Sequence, residues 1–330
     1  MSENHSPRKA ALRLSLILLL CGCVFLSSCG RRGGEERGGQ PDAGEVTTVE
    51  AVTEPPEPDP RTVTVLSAEV SQGDLILVNY DHPFVFPTES EAPQDQGLVS
   101  VFINKNDDYK VGGSDLWLMP SAFEALERMS SDFCAETGRN DMIMLSAWRS
   151  LEAQKEIFQS RVQSRGEEYA RMYVADPGCS EHHTGLAADL SIFTDEGKSL
   201  YLSDVTEGEW ITSHYDEYGF ILRYPEEKYE VTHVAYENWH FRYVGVPHSY
   251  YIRQQGLVLE EYISLLSALH DPTVPLVIRH GDRSWSVWSV PASASETTKI
   301  VVPGRYTGKV TVSGSNAGFF VVTVEGTGDR

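Results

Sequence analysis

Hydrophobic positions in the first half of the globular segment follow helical spacing, interrupted by one short strand. Apolar residues recur every three or four positions over 121–138, where Gly138 is a stop signal, and again over 151–165. Ser150 precedes the second helix and is predicted to be its N-cap. Between the helices, Met142–Ala147 is a short apolar run that predicts a strand. This mixture of elements predicts an α+β fold.

Two later segments alternate in polarity and place polar residues on one face of a strand. In Leu186–Ile192 the larger apolar side chains share one face, whereas Asp189 lies on a small, polar face. Over 239–244 an aromatic row alternates with a second face that carries His240. Glu237 has the wrong parity to share that face in a regular strand, so we expect it at the start of the strand, where the chain can turn it towards His240. The pattern predicts a central antiparallel sheet that carries these residues, with helices packed on one side.

The end of the chain changes to an all-β pattern. After Asp271, short apolar runs are separated by Gly, Ser and Pro, so 271–330 is predicted to be a small β appendage. Two roles are open for it, a wall- or partner-binding module and a packing extension of the preceding domain. The pattern alone does not name a ligand.

The N-terminal segment combines basic residues with an apolar stretch. Basic residues before position 14 precede an apolar run over 14–26, which is typical of a secretory signal. Leu26–Cys29 resembles a bacterial lipobox, in which the cysteine, here Cys29, is lipidated and becomes the mature N-terminus. The alternative is an uncleaved transmembrane anchor, for which the stretch is short. Both interpretations place the remainder outside the cytoplasm and at a membrane.

These changes of pattern divide the chain into four parts. We predict a lipoprotein signal peptide over 1–29, a disordered tether over 30–61, a catalytic domain over 62–270 and the β appendage over 271–330. The tether is rich in Gly, Pro and Glu, so its expected function is to let the domain stand off the membrane.

Composition narrows the classes of partner. The formal net charge is −21, from 48 acidic and 27 basic residues, which argues against nucleic acid and against adhesion to anionic lipid by charge alone. The chain has five cysteines, and only Cys134 and Cys179 lie in the globular part. Neither belongs to a C-x-x-C pair, so a thiolate zinc site is not indicated. Whether these two form a disulfide is open at this stage.

Two motifs carry the candidate chemistry. Residues 180–189 read S-E-H-H-T-G-L-A-A-D, and 237–240 read E-N-W-H. Two imidazoles and one carboxylate, from His182, His240 and Asp189, suit a catalytic zinc site with three protein ligands and an open position. The competing interpretation is that they are satisfied polar residues of a core.

The combination S-x-H-x-x-G-x-A-x-D with E-x-W-H resembles the VanY-type D-alanyl-D-alanine carboxypeptidases, a family of zinc peptidases related to lysostaphin-type endopeptidases and the hedgehog domain. The resemblance covers Asp74–Tyr262 and includes W-R-S at 148–150 and W-H-F-R-Y-V-G at 239–245. It implies one Zn²⁺ ion and a substrate among the stem peptides of peptidoglycan.

Roles for single residues follow from the same resemblance. It implies that Glu237 is the general base and that Arg149 polarises the substrate carbonyl and stabilises the oxyanion. The metal ligands it implies are His182, Asp189 and His240, and the substrate-binding residues are Ser180, Gln154 and Trp148. The chain departs from the family where Trp148 replaces a frequent tyrosine and His183 a frequent Gln or Asn, which affects substrate preference.

The sequence therefore predicts a zinc D-alanyl-D-alanine carboxypeptidase that trims peptidoglycan outside the cell, anchored to the bacterial membrane by an N-terminal lipid. The alternatives are an L,D-carboxypeptidase, a D,D-endopeptidase and a wall-binding lipoprotein with a structural zinc. The last alternative predicts no function for Glu237.

Overall fold

A computed structural model describes residues 57–88, 90 and 92–328 of the chain. The predicted signal peptide, its Cys29 and most of the predicted tether lie outside these residues. No helix within the described ranges is long and apolar enough to cross a membrane.

Helices and strands alternate up to residue 266, and strands alone follow in the described part. The helices are α1 (Val101–Asn104), α2 (Pro120–Thr137), α3 (Leu151–Arg165), α4 (Glu167–Tyr173), α5 (Glu209–His214), α6 (Tyr229–Thr232), α7 (His248–Gln255) and α8 (Leu259–Leu266). The strands are β1 (Arg61–Leu66), β2 (Val99–Ser100), β3 (Lys110–Val111), β4 (Trp117–Leu118), β5 (Met142–Ser146), β6 (Ala187–Phe193), β7 (Ser199–Leu200), β8 (Phe220–Tyr224), β9 (Glu237–Tyr243), β10 (Leu276–His280), β11 (Arg283–Pro291), β12 (Thr297–Val302), β13 (Val310–Gly314) and β14 (Phe319–Glu325).

One six-stranded sheet carries the predicted site. Its strand order is β3-β5-β6-β9-β8, and β7 also pairs with β6. All of its pairs are antiparallel except β3 with β5, which is parallel. The predicted antiparallel sheet is confirmed apart from that edge strand. Because β6 and β9 are neighbours, Asp189 lies directly opposite His240.

The face of this sheet away from the site packs on α2. Ala188, Leu190 and Ile192 of β6 lie in one buried cluster with Phe133 of α2. The alternation predicted for β6 is therefore confirmed, since Asp189 lies on the opposite face from these three side chains. Sheet and helix thus provide a rigid support beneath the polar residues.

The predicted helix boundaries also have identifiable causes. Gly138 follows α2 with a φ of 71°, a left-handed conformation that ends the helix. The hydroxyl of Ser150 accepts a hydrogen bond of 3.1 Å from the Ala153 N–H, as an N-cap does. These contacts fix the start of α3, which lines the site described below.

The C-terminal strands form a separate sheet in the order β10-β11-β14-β13, and β12 pairs with β1. Since β1 comes from the segment predicted to be catalytic, strand pairing joins the two segments. A shared apolar cluster contains Leu259 and Tyr262 of α8 together with Val287 of β11 and Phe319 of β14. This shared core supports the interpretation of the appendage as a packing extension.

The two globular cysteines lie on different elements. Cys134 is on α2, and Cys179 is in the loop before β6. Both are free thiols, so the disulfide left open by the sequence is not formed.

Candidate active site

Three predicted ligand side chains meet where β6 and β9 run side by side. Asp189 and His240 are cross-strand partners, and His182 lies in a 3-10 turn immediately before β6. Gly185 ends that turn with a φ of 68°, and a Cβ at this position would lie 2.4 Å from a leucine methyl group, so the turn requires glycine. One donor atom of each ligand side chain lies within 4.8 Å of the other two.

The two imidazoles are oriented towards the carboxylate between them. Nδ1 of His182 donates a hydrogen bond of 2.6 Å to the Ala147 carbonyl, which leaves Nε2 facing Asp189 Oδ1 at 3.4 Å. Nδ1 of His240 lies 3.1 Å from the same oxygen. The two rings are almost perpendicular, with centroids 4.9 Å apart. Two nitrogens and a carboxylate therefore converge on one small volume.

The charges in this cluster suit a cation. Burial lowers the pKa of His182 to about 4, so this imidazole is neutral at pH 7 and can act as a ligand. Burial opposes the ionisation of Asp189, yet the two histidines hold its pKa well below the usual range. Burial also disfavours the charged form of His240, but Asp189 and Glu181 outweigh it and raise the pKa to about 9. A metal ion bound by Asp189 and His240 can replace the proton between these two side chains, and the donor set is that of catalytic zinc centres.

Glu237 lies beside the ligands as the first residue of β9. The pairing of β9 with β8 is irregular between Leu222 and Tyr224, which allows Glu237 and His240 to face the same cavity. Oε2 of Glu237 is 3.8 Å from Nδ1 of His240. Burial raises the pKa of Glu237 to about 7, and Asp189 adds to this effect against the opposing influence of His240. A carboxyl group with a pKa near neutrality is suited to accept and return a proton.

Arg149 approaches the cluster from the loop between β5 and α3. Its Nη2 lies 3.8 Å from Asp189 Oδ2. The guanidinium donates to Gln154 Oε1 at 2.8 Å and to Ser146 Oγ at 3.0 Å, so two acceptors fix its orientation. The Arg149 backbone N–H also donates to the His182 carbonyl, at 3.1 Å. Arg149 and the ligand-bearing turn are therefore held as one unit.

Comparison with known proteins identifies the family of the chain. Residues 115–246 match the family model described as VanY: D-alanyl-D-alanine carboxypeptidase. A D-alanyl-D-alanine carboxypeptidase of Enterococcus faecium is 30% identical over 266 residues, which are 79% of this chain and 78% of that protein. The chain belongs to the VanY family of D-alanyl-D-alanine carboxypeptidases.

Two further relatives place this VanY-family chain among peptidases. A bifunctional D-Ala-D-Ala dipeptidase and D-Ala-D-Ala carboxypeptidase of Enterococcus gallinarum, VanXYC, is 37% identical over 157 residues, covering 46% of this chain and 80% of that protein. The crystal structure of the vancomycin resistance D,D-dipeptidase VanXYg, in complex with a D-Ala-D-Ala phosphinate analog, matches with a TM-score of 0.68 at 28% identity. That match covers 81% of this chain and 99% of the other, and it confirms the α+β fold.

The residues predicted to bind substrate have three different environments in this VanY-family structure. Ser180 lines the cavity, and its hydroxyl has no hydrogen-bond partner within the described residues. Gln154 also lines the cavity but is buried, and its amide bonds to Arg149 and, at 2.8 Å, to the Ala175 carbonyl. Trp148 is not among the described residues that line the cavity, and its indole N–H is buried. Ser180 therefore presents an unbonded hydroxyl at the cavity, whereas Gln154 orients Arg149.

His183 follows the ligand His182 but faces away from the cluster. Its Nδ1 donates to the Arg149 carbonyl at 2.8 Å, and its Nε2 accepts the Gly178 N–H at 3.1 Å. The ring packs against Phe84, and burial lowers its pKa to about 4. His183 thus supports the loop that carries Arg149.

The cavity of about 230 Å³ also contains residues that the sequence did not single out. Trp239 was expected in the buried aromatic row, but it lines the cavity and its ring stacks on Tyr201. Tyr224 of β8 and Arg161 of α3 line the cavity as well. Arg161 lies seven residues after Gln154 on the helix, a spacing that places both on one face and could have revealed it.

Glu181 is a further residue that the sequence overlooked, although it stands beside His182 in the motif. Its side chain is fully buried and pairs with Arg223 and Arg242, which are also fully buried. Oε2 of Glu181 lies 3.4 Å from Nε2 of His240, on the side of the ring away from Asp189. Opposite charges keep the pKa of Glu181 low despite its burial.

Proposed function

We propose that the chain is a zinc-dependent D-alanyl-D-alanine carboxypeptidase that removes the C-terminal D-Ala from peptidoglycan stem peptides. The observation that carries this proposal is the convergence of Glu237 and Arg149 on the His182, Asp189 and His240 cluster inside one open cavity. Membership of a carboxypeptidase family and the names of its relatives support the same substrate class.

One zinc ion is the proposed cofactor, held by His182, Asp189 and His240. When bound, it supplies Lewis acidity at the substrate carbonyl and lowers the pKa of a water molecule. The described residues contain a single cluster of this kind, which supports one ion per chain.

The side chains around the cluster can perform the proton transfers of peptide hydrolysis. Glu237 accepts the proton of the attacking water as the new C–O bond forms, and passes it to the leaving amine as the C–N bond breaks. The Arg149 guanidinium stabilises the charge that develops on the carbonyl oxygen, and its fixed orientation avoids reorganisation during the reaction. Ser180 offers a free hydroxyl to the peptide.

We further propose that the reaction takes place outside the cytoplasm, with the chain anchored through lipid on Cys29. The basic and apolar pattern of the N-terminus supports secretion, and two acyl chains suffice for stable anchoring. A peptidoglycan substrate fits this location.

The proposal is tested by incubating the zinc-loaded full chain with four substrates. These are a pentapeptide stem, a tetrapeptide stem, a cross-linked stem dimer and free D-Ala–D-Ala, the last because one relative is a D,D-dipeptidase. We expect D-Ala release from the pentapeptide and none from the tetrapeptide. Release from the tetrapeptide alone indicates an L,D-carboxypeptidase, cleavage of the dimer alone an endopeptidase, and cleavage of free D-Ala–D-Ala alone a dipeptidase.

The matched variant is Glu237→Gln, which keeps the size of the side chain and removes its basicity. It is expected to bind zinc and to lose activity. Full activity of this variant contradicts the assigned base. Zinc binding by the wild-type chain without cleavage of any of the four substrates supports the structural-zinc alternative.

A further inference from the structure

A series of buried ionic contacts leads from Glu260 through Arg223 and Glu181 to Nε2 of His240. Oε1 of Glu181 accepts two hydrogen bonds, from Arg223 Nε at 2.8 Å and from Arg242 Nη1 at 2.9 Å. The other carboxylate oxygen, Oε2, faces Nε2 of His240 at 3.4 Å. The two oxygens of one carboxylate therefore have separate partners.

Both arginines also donate hydrogen bonds to groups other than Glu181, and these bonds fix their orientation. Arg223 donates to the two oxygens of Glu260 at 2.8 and 2.6 Å, and Asn79 donates to Glu260 at 3.2 Å. Arg242 donates to the carbonyls of Asp74 and Ile76, at 3.0 and 2.9 Å. Since a guanidinium only donates hydrogen bonds, the Glu181 oxygen between the two arginines must be an acceptor.

This arrangement determines which nitrogen of His240 keeps its proton when a metal ion is bound. An ionised carboxylate only accepts hydrogen bonds, so Oε2 of Glu181 requires a proton on Nε2 of His240. Nδ1 lies 3.1 Å from Asp189, the other proposed ligand, so a metal ion bound by both groups displaces the proton on Nδ1 and takes up the lone pair that this leaves. A partner on the second nitrogen is the general means by which proteins fix a ligating imidazole.

We propose that Glu181 is a positioning residue that holds His240 in the tautomer that presents Nδ1 to the metal ion, and that the buried arginines hold Glu181 in place for this task. The inference rests on the zinc site proposed above. The simpler account is that Glu181 only neutralises Arg223 and Arg242, in which case its removal changes stability but leaves the tautomer unaffected.

Glu181→Gln separates the two accounts. The amide oxygen must stay between the two arginines, so the amide NH₂ faces Nε2 of His240 and donates to it. Nε2 then has to accept, so the single remaining proton of the ring stays on Nδ1, where it blocks the metal. We expect zinc affinity to fall by about 10- to 100-fold, the usual effect of losing such a partner.

Asp216→Asn is the matched control, because Asp216 is a buried carboxylate paired with Arg253 and is not among the described residues lining the site cavity. It makes the same acid-to-amide change beside a guanidinium. We expect it to lower stability and to leave zinc affinity unchanged. Equal losses of zinc affinity in Asp216→Asn and Glu181→Gln overturn the inference, since a general loss of stability then explains both.

The measurements are zinc competition against a chromophoric chelator and ¹⁵N chemical shifts of the histidine rings in the zinc-loaded full chain. The shifts of the wild-type protein test the inference even where Glu181→Gln fails to fold, and we expect a protonated Nε2 and a metal-bound Nδ1 on His240. A wild-type chain that binds no zinc overturns the proposed function together with this inference. Zinc binding with Nε2 as the ligand, or with equal affinity in Glu181→Gln, overturns this inference alone.

Discussion

Asp189 of β6 and His240 of β9 are direct cross-strand partners, with Oδ1 of the aspartate 3.1 Å from Nδ1 of the histidine. The register of two hydrogen-bonded strands therefore sets the spacing of two of the three candidate ligands. A change of register by one residue would turn one of them to the opposite face of the sheet. Backbone pairing, rather than a flexible loop, thus gives the cluster its precision.

Because the cluster bridges two strands and the turn before β6, metal removal is expected to lower the stability of the fold. At a free zinc concentration one hundred times the Kd, binding contributes about 2.7 kcal/mol, which corresponds to a Tm shift on the order of 5 to 10 °C. Differential scanning calorimetry of the full chain with zinc and with chelator measures this shift. His240→Ala serves as the control and should show no response to chelator; a response as large as in the wild type would place the metal elsewhere.

Arg149→Lys is expected to lower kcat by about 100-fold and to change KM little, because the oxyanion forms only in the transition state. Lysine keeps the charge, but it cannot reproduce the paired bonds to Gln154 and Ser146 that orient the guanidinium. Steady-state kinetics on the pentapeptide checks this. The same substitution at the cavity residue Arg161, for which the described residues show no ion pair, should leave kcat intact. Retention of kcat in Arg149→Lys would exclude an oriented guanidinium from the reaction.

Trp239, rather than Trp148, is expected to contact the substrate. Trp239 lines the cavity and stacks on Tyr201 with ring centroids 4.8 Å apart, whereas the Trp148 indole N–H is buried. Trp239→Ala should raise KM by about tenfold, equivalent to the loss of about 1.4 kcal/mol of aromatic contact. Trp148→Phe should leave KM unchanged. The opposite ranking of the two KM values would support the substrate role that the sequence assigned to Trp148.

The sequence predicted more of the site's chemistry than of its geometry. Alternation alone placed Asp189 on the face opposite Leu190, because a strand buried on one side must alternate. It could not predict that β6 and β9 are neighbours, since 220–224 and several turns separate them along the chain. Trp239 was misplaced because the irregular pairing at the start of β9 breaks the parity on which the prediction depended.

Glu181 was missed for a related reason. Its partners Arg223 and Arg242 lie 42 and 61 residues further along the chain. In sequence, an isolated glutamate beside a histidine is indistinguishable from a solvated surface residue. Only the fold shows that all three charges are buried together. Ionic partners this far apart in the chain could not be predicted from the sequence.

His248 links the α7–α8 region to the C-terminal sheet, and its burial makes that link sensitive to pH. Its Nδ1 lies 2.7 Å from the Tyr262 hydroxyl on α8, and its Nε2 lies 3.1 Å from the Thr323 hydroxyl on β14. Burial lowers the pKa of His248 from 6.5 to about 3. Between pH 6.5 and pH 3, the His248 ring is therefore protonated in the unfolded chain and neutral in the folded chain. The stabilising effect of the neutral ring is complete above pH 6.5 and is lost as the pH falls towards 3.

His248→Gln keeps two polar contacts and removes the titration. Between pH 7 and pH 5 the free energy of unfolding of the wild type should fall by roughly 2 kcal/mol more than that of the variant. Urea denaturation of both proteins at the two pH values measures the difference, and other acid-sensitive groups cancel because they are common to both. An equal loss in the two proteins would show that protonation of His248 does not weaken the contact between α8 and the C-terminal sheet.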